Sequence, residues 1–185
     1  MKLKPFNGLV NRLLILSLSL LLEMCGPATL EQNKPNDNKE QEALIRANKY
    51  LVKKDAENIT SYCKRHHWNM KETESGLKYE ILTQGNGREP ESGMQVTLKY
   101  RSELIDGTYC YSSDSSGYKI FCIGSGKVET GLEEGICLMK RGDKARFILP
   151  PHLAFGLIGD NNRIPPRSII VYNVELLKVE NTKSH

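Results

Sequence analysis

The feature that most constrains this chain is a change of hydrophobic period near Gly76. Beyond it, apolar and polar residues alternate in short runs, the pattern a strand needs when only one of its faces is buried. Lys78–Thr83 places Tyr79 and Ile81 on one face, and Met94–Leu104 does the same with Val96, Leu98 and Tyr100. Asp106-Gly107 is a hairpin signal, because both residues tolerate the positive φ angles of a tight turn. Tyr109–Ser113, Lys119–Ile123, Lys144–Leu149 and Ser168–Val179 continue the series; Ala145, Phe147 and Leu149 share a face, as do Ile170, Tyr172, Val174 and Leu176. One segment breaks the alternation. Leu132, Ile136 and Met139, spaced four and three, make a narrow helical stripe, with Glu133 and Glu134 early, Lys140-Arg141 late and Gly142 expected to stop the helix. Mostly antiparallel strands around one short helix predict an α+β domain.

The residues before Gly76 follow other rules. Ile45, Val52, Ala56, Ile59 and Cys63 recur at helical spacing over about Asn38–His67, opposite Lys49, Lys53, Glu57 and Lys64, and Asp37 with Glu40 has the form of a capping box. That stripe must be buried, either on the chain's own domain or as the seam of a homodimer. Cys63, His66 and His67 lack a second cluster of ligands, so they read as a polar helix end, and no metal is expected. Residues 25–37 read as a tether: polar, aperiodic and interrupted by Pro35. Residues 1–24 read as a targeting signal. Lys2, Lys4 and Arg12 precede the apolar run Leu13–Leu22, which is too short to span a bilayer needing about 20 residues. Cys25 directly after that run resembles the lipid-bearing cysteine of bacterial lipoproteins, although Leu22-Glu23-Met24 is bulkier than such sites usually are. Cleavage after Ala28 is the rival reading. On the first reading the chain faces the periplasm from a membrane anchor. The formal charge of +4 falls to +2 without residues 1–24, which excludes a nucleic-acid partner on electrostatic grounds. Cys63, Cys110, Cys122 and Cys137 permit disulfides in an oxidising compartment, but no spacing demands one, and buried free thiols are expected.

The ordered fragments Val96-Thr97-Leu98-Lys99-Tyr100, Asp106-Gly107-Thr108, Gly131-Leu132-Glu133-Glu134-Gly135, Leu149-Pro150-Pro151, Ala154-Phe155-Gly156, Ile164-Pro165-Pro166 and Val174-Glu175-Leu176-Leu177 resemble the FKBP family over residues 76–180. With the start of the chain they most resemble envelope lipoproteins of the Bacteroidetes, including a gliding-motility-associated branch. The resemblance implies a curved antiparallel sheet wrapped around one short helix, with residues 181–185 as a tail. It implies peptidyl-prolyl cis-trans isomerisation on proline-containing polypeptides, without cofactor, nucleophile or acid–base catalyst. The rival class is a non-catalytic peptide-binding chaperone, or a structural component of an envelope machine.

Carried onto this chain, the family's prolyl pocket falls on Tyr100, Cys110, Tyr111, Val128, Glu129, Leu132, Phe155, Ile164 and Tyr172. Tyr100, Val128, Ile164 and Tyr172 match the expected residue types, and Phe155 keeps a ring but loses a hydroxyl. Cys110 stands for a phenylalanine, Tyr111 for an aspartate, Glu129 for an aliphatic residue and Leu132 for a tryptophan. Lys119 falls where a wall aromatic belongs, and Arg163 where a loop aliphatic does. The Phe155–Arg163 loop, rich in Gly and Asn, reads as a movable rim.

Overall fold

The computed structural model describes residues 37–182. The targeting signal, Cys25, the tether before Asp37 and residues 183–185 lie outside them, as does the side chain of Asp37 in the capping box. By packing, the chain falls into two units, residues 1–42 and 43–185, and the contacts and cavities discussed below belong to the second. Among the described residues no helix is long and apolar enough to cross a membrane.

In chain order the elements are helix α1 (Asp37–His66), strands β1 (Lys71–Glu72), β2 (Lys78–Thr83), β3 (Gln95–Leu104) and β4 (Tyr109–Ser112), the short turn α2 (Ser113–Ser116), β5 (Lys119–Cys122), α3 (Thr130–Cys137), β6 (Lys144–Leu149) and β7 (Ile170–Glu180). The strands form one antiparallel sheet, ordered β1-β2-β6-β7-β3, with β4 and β5 both pairing with β3. This is the α+β architecture the alternation predicts, with strand ends within a residue or two of those expected. The alternation does not foresee β1, α2 or the 3₁₀ turn Pro151–Leu153, all too short to show a period.

The inner face of the sheet buries α3. Leu132, Ile136 and Met139 are fully buried against Leu98, Phe147, Leu149, Tyr172 and Leu176. The helix comes so close because it presents glycine to the sheet: a Cβ on Gly135 would lie 2.8 Å from two Phe147 ring carbons. The helix ends at Cys137, with Leu138 as its C-cap, not at Gly142 as the sequence suggests. Lys140 and Arg141 therefore serve the following turn instead of the helix dipole. Lys140 pairs with Glu89 at 3.1 Å, and the Asp143 carboxylate accepts the N–H groups of Lys140 and Gly85. Gly142, at φ 95°, belongs to that turn.

The outer face receives the C-terminal half of α1. Ile59, Tyr62 and Cys63 pack on Ile148, Ile169 and Val171, with Trp68, Met70 and Ile105 at the margin. Arg146 fixes this contact: its guanidinium lies 3.6 Å from the Trp68 ring centroid and donates to Glu80 and Asn173. Arg167 ties the far side to Asp55 at 2.8 Å. The expected apolar stripe is thus buried only at Ile59 and Cys63, while Ile45, Val52 and Ala56 stay exposed. Upstream of Ile59 the helix passes the edge of the sheet: Val52 and Ala56 face a groove lined mainly by polar residues, Glu72, Glu74, Ser75, Lys78 and His152. At the helix end His67 takes a left-handed φ of 55°, Cys63 points its thiol at the Met70 sulfur, and His66 stacks on Tyr62 and Trp68. Of the four described cysteines, all free thiols, Cys63 and Cys110 are buried, but Cys122 is only partly covered and Cys137 is exposed.

Candidate functional site

The sheet register decides what stands at the centre of the inner face. Tyr100 pairs with Val174 and Ser102 with Tyr172, so Tyr100 and Tyr172 are diagonal neighbours on one face, ring centroids 6.2 Å apart. Both are buried, as are Cys110, Leu132 and Ile164, and all five belong to the main core. A cavity of about 290 Å³ opens beside them, lined by Lys119, Gly126, Lys127, Val128, Glu129, Ala154 and Phe155. Of the residues the sequence points to, Val128, Glu129 and Phe155 line this cavity, and Tyr100, Cys110, Leu132, Ile164 and Tyr172 lie one layer further in. Tyr111 packs on the edge of the same core without lining the cavity.

Glu129 is the link between the two layers. It caps the N-terminus of α3 by position, yet its carboxylate is not spent on the helix. Instead it accepts the Tyr172 hydroxyl at 2.5 Å and faces the Lys119 ammonium at 3.5 Å. Lys119 in turn sits 5.2 Å from the Tyr100 ring centroid. The Glu129 side chain is 4% exposed and that of Lys119 25%. An ion pair thus spans from β5 to the start of α3 where the family resemblance calls for two apolar walls. Burial, followed by the neighbouring Glu129 charge, pushes the Tyr172 phenol well above its ordinary pKa, so it stays a donor. Burial also raises Tyr100 and the Cys110 thiol. Cys110 is therefore a protonated packing group, with its sulfur 3.7 Å from the Thr108 carbonyl.

The backbone at this point offers a donor. The Glu129 carbonyl accepts the Glu133 N–H, but the Glu129 N–H makes no hydrogen bond among the described residues. It stands between Val128 and the first turn of α3, at the cavity edge, where the helix dipole favours a partial negative charge.

The rim loop is tied down where the sequence suggests freedom. Tyr111 donates its hydroxyl to Asp160, and the same carboxylate accepts the N–H groups of Asn162 at 2.9 Å and Ile164 at 2.8 Å. Arg163 donates to the Cys110 carbonyl at 2.8 Å and lies against the rings of Tyr109 and Tyr111. Burial alone would raise the Asp160 carboxyl, but these donors outweigh it and hold its pKa below the usual range; the same bond raises Tyr111. Arg163 and Tyr111, two departures from the family pattern, thus belong to one latch between the loop and β4. Asp160 itself is absent from the sequence-derived site, although Asp160-Asn161-Asn162 has the composition of a side-chain-capped turn that would have marked it. At the loop tip Leu157 and Ile158 stay exposed.

A sheet folded over one short helix, with a cavity at that helix's N-terminus, defines the class, and comparison with known proteins assigns the family. The model of the FKBP-type peptidyl-prolyl cis-trans isomerases matches residues 86–177. A probable FKBP-type isomerase, FkpA, of Neisseria meningitidis is 37% identical over 110 residues, 60% of this chain but only 40% of its own length. The FK506-binding protein 1 of Gibberella zeae is 38% identical over 109 residues, 56% of this chain and 98% of that protein. In three dimensions, the crystal structure of AtFKBP13 superposes over 60% of this chain and 98% of its own, with a TM-score of 0.56 and 29% identity. The chain belongs to the FKBP-type peptidyl-prolyl cis-trans isomerases.

Proposed function

We propose that this domain binds X–Pro segments of extended polypeptides at the Glu129–Phe155 cavity and accelerates rotation about the X–Pro amide. The observation that carries the proposal is the Glu129 N–H, without a hydrogen bond among the described residues, beside a cavity walled by Val128 and Phe155. Rotation must cross about 18–20 kcal/mol, and unaided it takes tens to hundreds of seconds. No bond to the amide breaks, so no acid, base or nucleophile is required. What helps is a donor that holds the substrate carbonyl while the amide loses planarity, and apolar surface that favours the less polar, twisted state over the planar one. Glu129 N–H supplies the donor, and Phe155 and Val128 supply some of the surface. The test is exchange spectroscopy on a short X–Pro peptide: catalytic amounts of the chain raise the cis–trans rate, and a Phe155→Ala variant that stays folded lowers it. An unchanged rate in that variant would refute the assignment of the cavity.

The Lys119–Glu129 pair favours a second reading, a peptide-binding module of low turnover. To reach Leu132 a proline ring must push between charges 3.5 Å apart, one of them out of water. Binding without acceleration at micromolar protein would decide for it.

We further infer that the chain works in the bacterial envelope, tethered by lipid at Cys25, on proteins folding there. The basic and apolar leader ahead of Cys25 supports this, and mass spectrometry of the membrane fraction tests it. An unmodified N-terminus at Thr29 would overturn the anchor. The exposed Ile45–Ala56 half of the α1 stripe supports a homodimer seam, for which sedimentation of a Val52→Asp variant is the check.

A further inference from the structure

We propose that the cavity selects X–Pro segments bearing a carboxylate next to the proline, with Lys119 and Lys127 as the residues that read it. The inference rests on the isomerase reading above and adds the substrate class. Three charged side chains line the cavity: Lys119, Lys127 and Glu129. Their exposure settles which sign a ligand meets. Glu129 is 4% exposed and already engaged by the Tyr172 hydroxyl and by Lys119, whereas Lys119 is 25% exposed on the solvent side of the pair. Lys127 is exposed next to them, with no ion pair among the described residues. A peptide entering from water thus encounters two ammonium groups before any carboxylate.

The chemistry of an ammonium lets both partners coexist. It carries three donors, so Lys119 can keep Glu129 with one and offer another to a client carboxylate. An arriving carboxylate that draws Lys119 outward loosens its hold on Glu129 and clears the way to Leu132, while Glu129 retains the Tyr172 hydroxyl. A basic residue beside the proline has no such route: it meets like charge and reaches Glu129 only by displacing Lys119. An all-apolar pocket would show the opposite order, with an aliphatic neighbour favoured and an acidic one penalised.

The experiment uses the full-length chain and blocked peptides differing only at X in X–Pro, with X as Glu, Gln, Leu or Lys. Exchange spectroscopy gives kcat/KM for each at low ionic strength. Glu–Pro should exceed Gln–Pro by about fivefold, the scale of a partly exposed ion pair, and Lys–Pro by more. Raising the salt to about 0.5 M should shrink the ratio. A Lys119→Met, Lys127→Gln double variant should bring Glu–Pro and Gln–Pro within about twofold of each other. Ratios are taken within each protein, so a lower overall rate in the variant does not enter. Gln–Pro or Lys–Pro equal to or faster than Glu–Pro in the unaltered chain overturns the proposal, as does a ratio that survives both substitutions. Should the folded chain accelerate no peptide, the isomerase reading fails separately. The ratio of dissociation constants from amide-shift titration then decides: tighter Glu–Pro binding upholds the selectivity, and equal or absent binding overturns it.

Discussion

Tyr172 and Glu129 allow the polar interior of this site to be measured as a coupled pair. Tyr172→Phe removes a hydroxyl that donates at 2.5 Å to a carboxylate only 4% exposed, leaving that carboxylate with Lys119 at 3.5 Å. Hydrogen bonds to charged groups contribute about 1.5–3 kcal/mol, so the variant should lose about 2 kcal/mol of stability. Glu129→Leu does the reverse: it keeps the volume and strands a buried phenol without its acceptor, at a cost of about 1–3 kcal/mol. The double variant removes both polar partners, and an apolar pair of similar shape is neutral or stabilising in such a place. Two singles that together lose about 4 kcal/mol should therefore combine into a protein near the parent, a coupling of about 4 kcal/mol. Urea unfolding of the four proteins reads this out, with the single tryptophan, Trp68, as the probe. A coupling under about 0.5 kcal/mol, the level of independent sites, would refute the bond and with it the account of the cavity floor. The double variant also lines the pocket with apolar groups, so its turnover of a Leu–Pro peptide should rise. A fall, with stability intact, would show that the Lys119–Glu129 pair does not obstruct the ring.

Other outcomes follow from the same packing. Gly135→Ala should cost about 1–2 kcal/mol, because overpacking against buried Phe147 outweighs the gain in helix propensity; a more stable variant would contradict the close approach. Ile59→Ala should cost about 2–4 kcal/mol by opening the contact of α1 with Ile148 and Val171, whereas a helix that is not docked there would feel nothing. Asp160 has a depressed pKa, so its stabilisation is complete above the ordinary carboxylate range and is lost as pH falls through its folded value; below about pH 4 the Ile164 and Asn162 amide resonances should shift, and in Asp160→Asn they should not titrate. Tyr172 has a raised pKa, so the unfolded chain ionises first. Stability should decline above about pH 10, and Tyr172→Phe should flatten that limb.

The strands and α3 are legible in the sequence because their burial has a period, and Tyr79, Phe147 and Tyr172 announce the inner face by alternation alone. The individual departures at Lys119 and Glu129 are visible too. Their pairing is not, since ten residues and a change of element separate them and no local pattern encodes the contact. Tyr111 and Arg163 fall on the pocket by position, but a hydroxyl with a carboxylate in reach outcompetes an apolar wall, and both go to the latch with Asp160 and the Cys110 carbonyl. The α1 stripe reads as uniform because periodicity reports one element only. Where it stops being buried is set by where the apolar patch of Ile148, Ile169 and Val171 ends.

Arg146 spread over Trp68, with Ile59 and Tyr62 beneath, has a consequence for how this chain can be cut. The compact relative from Gibberella zeae is matched over 98% of its length by little more than half of this chain. Here a fragment starting at Gly76 would strip Ile148, Ile169 and Val171 of their cover and leave a greasy scar on the back of the sheet. The smallest piece that behaves as a soluble protein should therefore begin upstream of Asp55, so that the helix travels with the sheet it waterproofs.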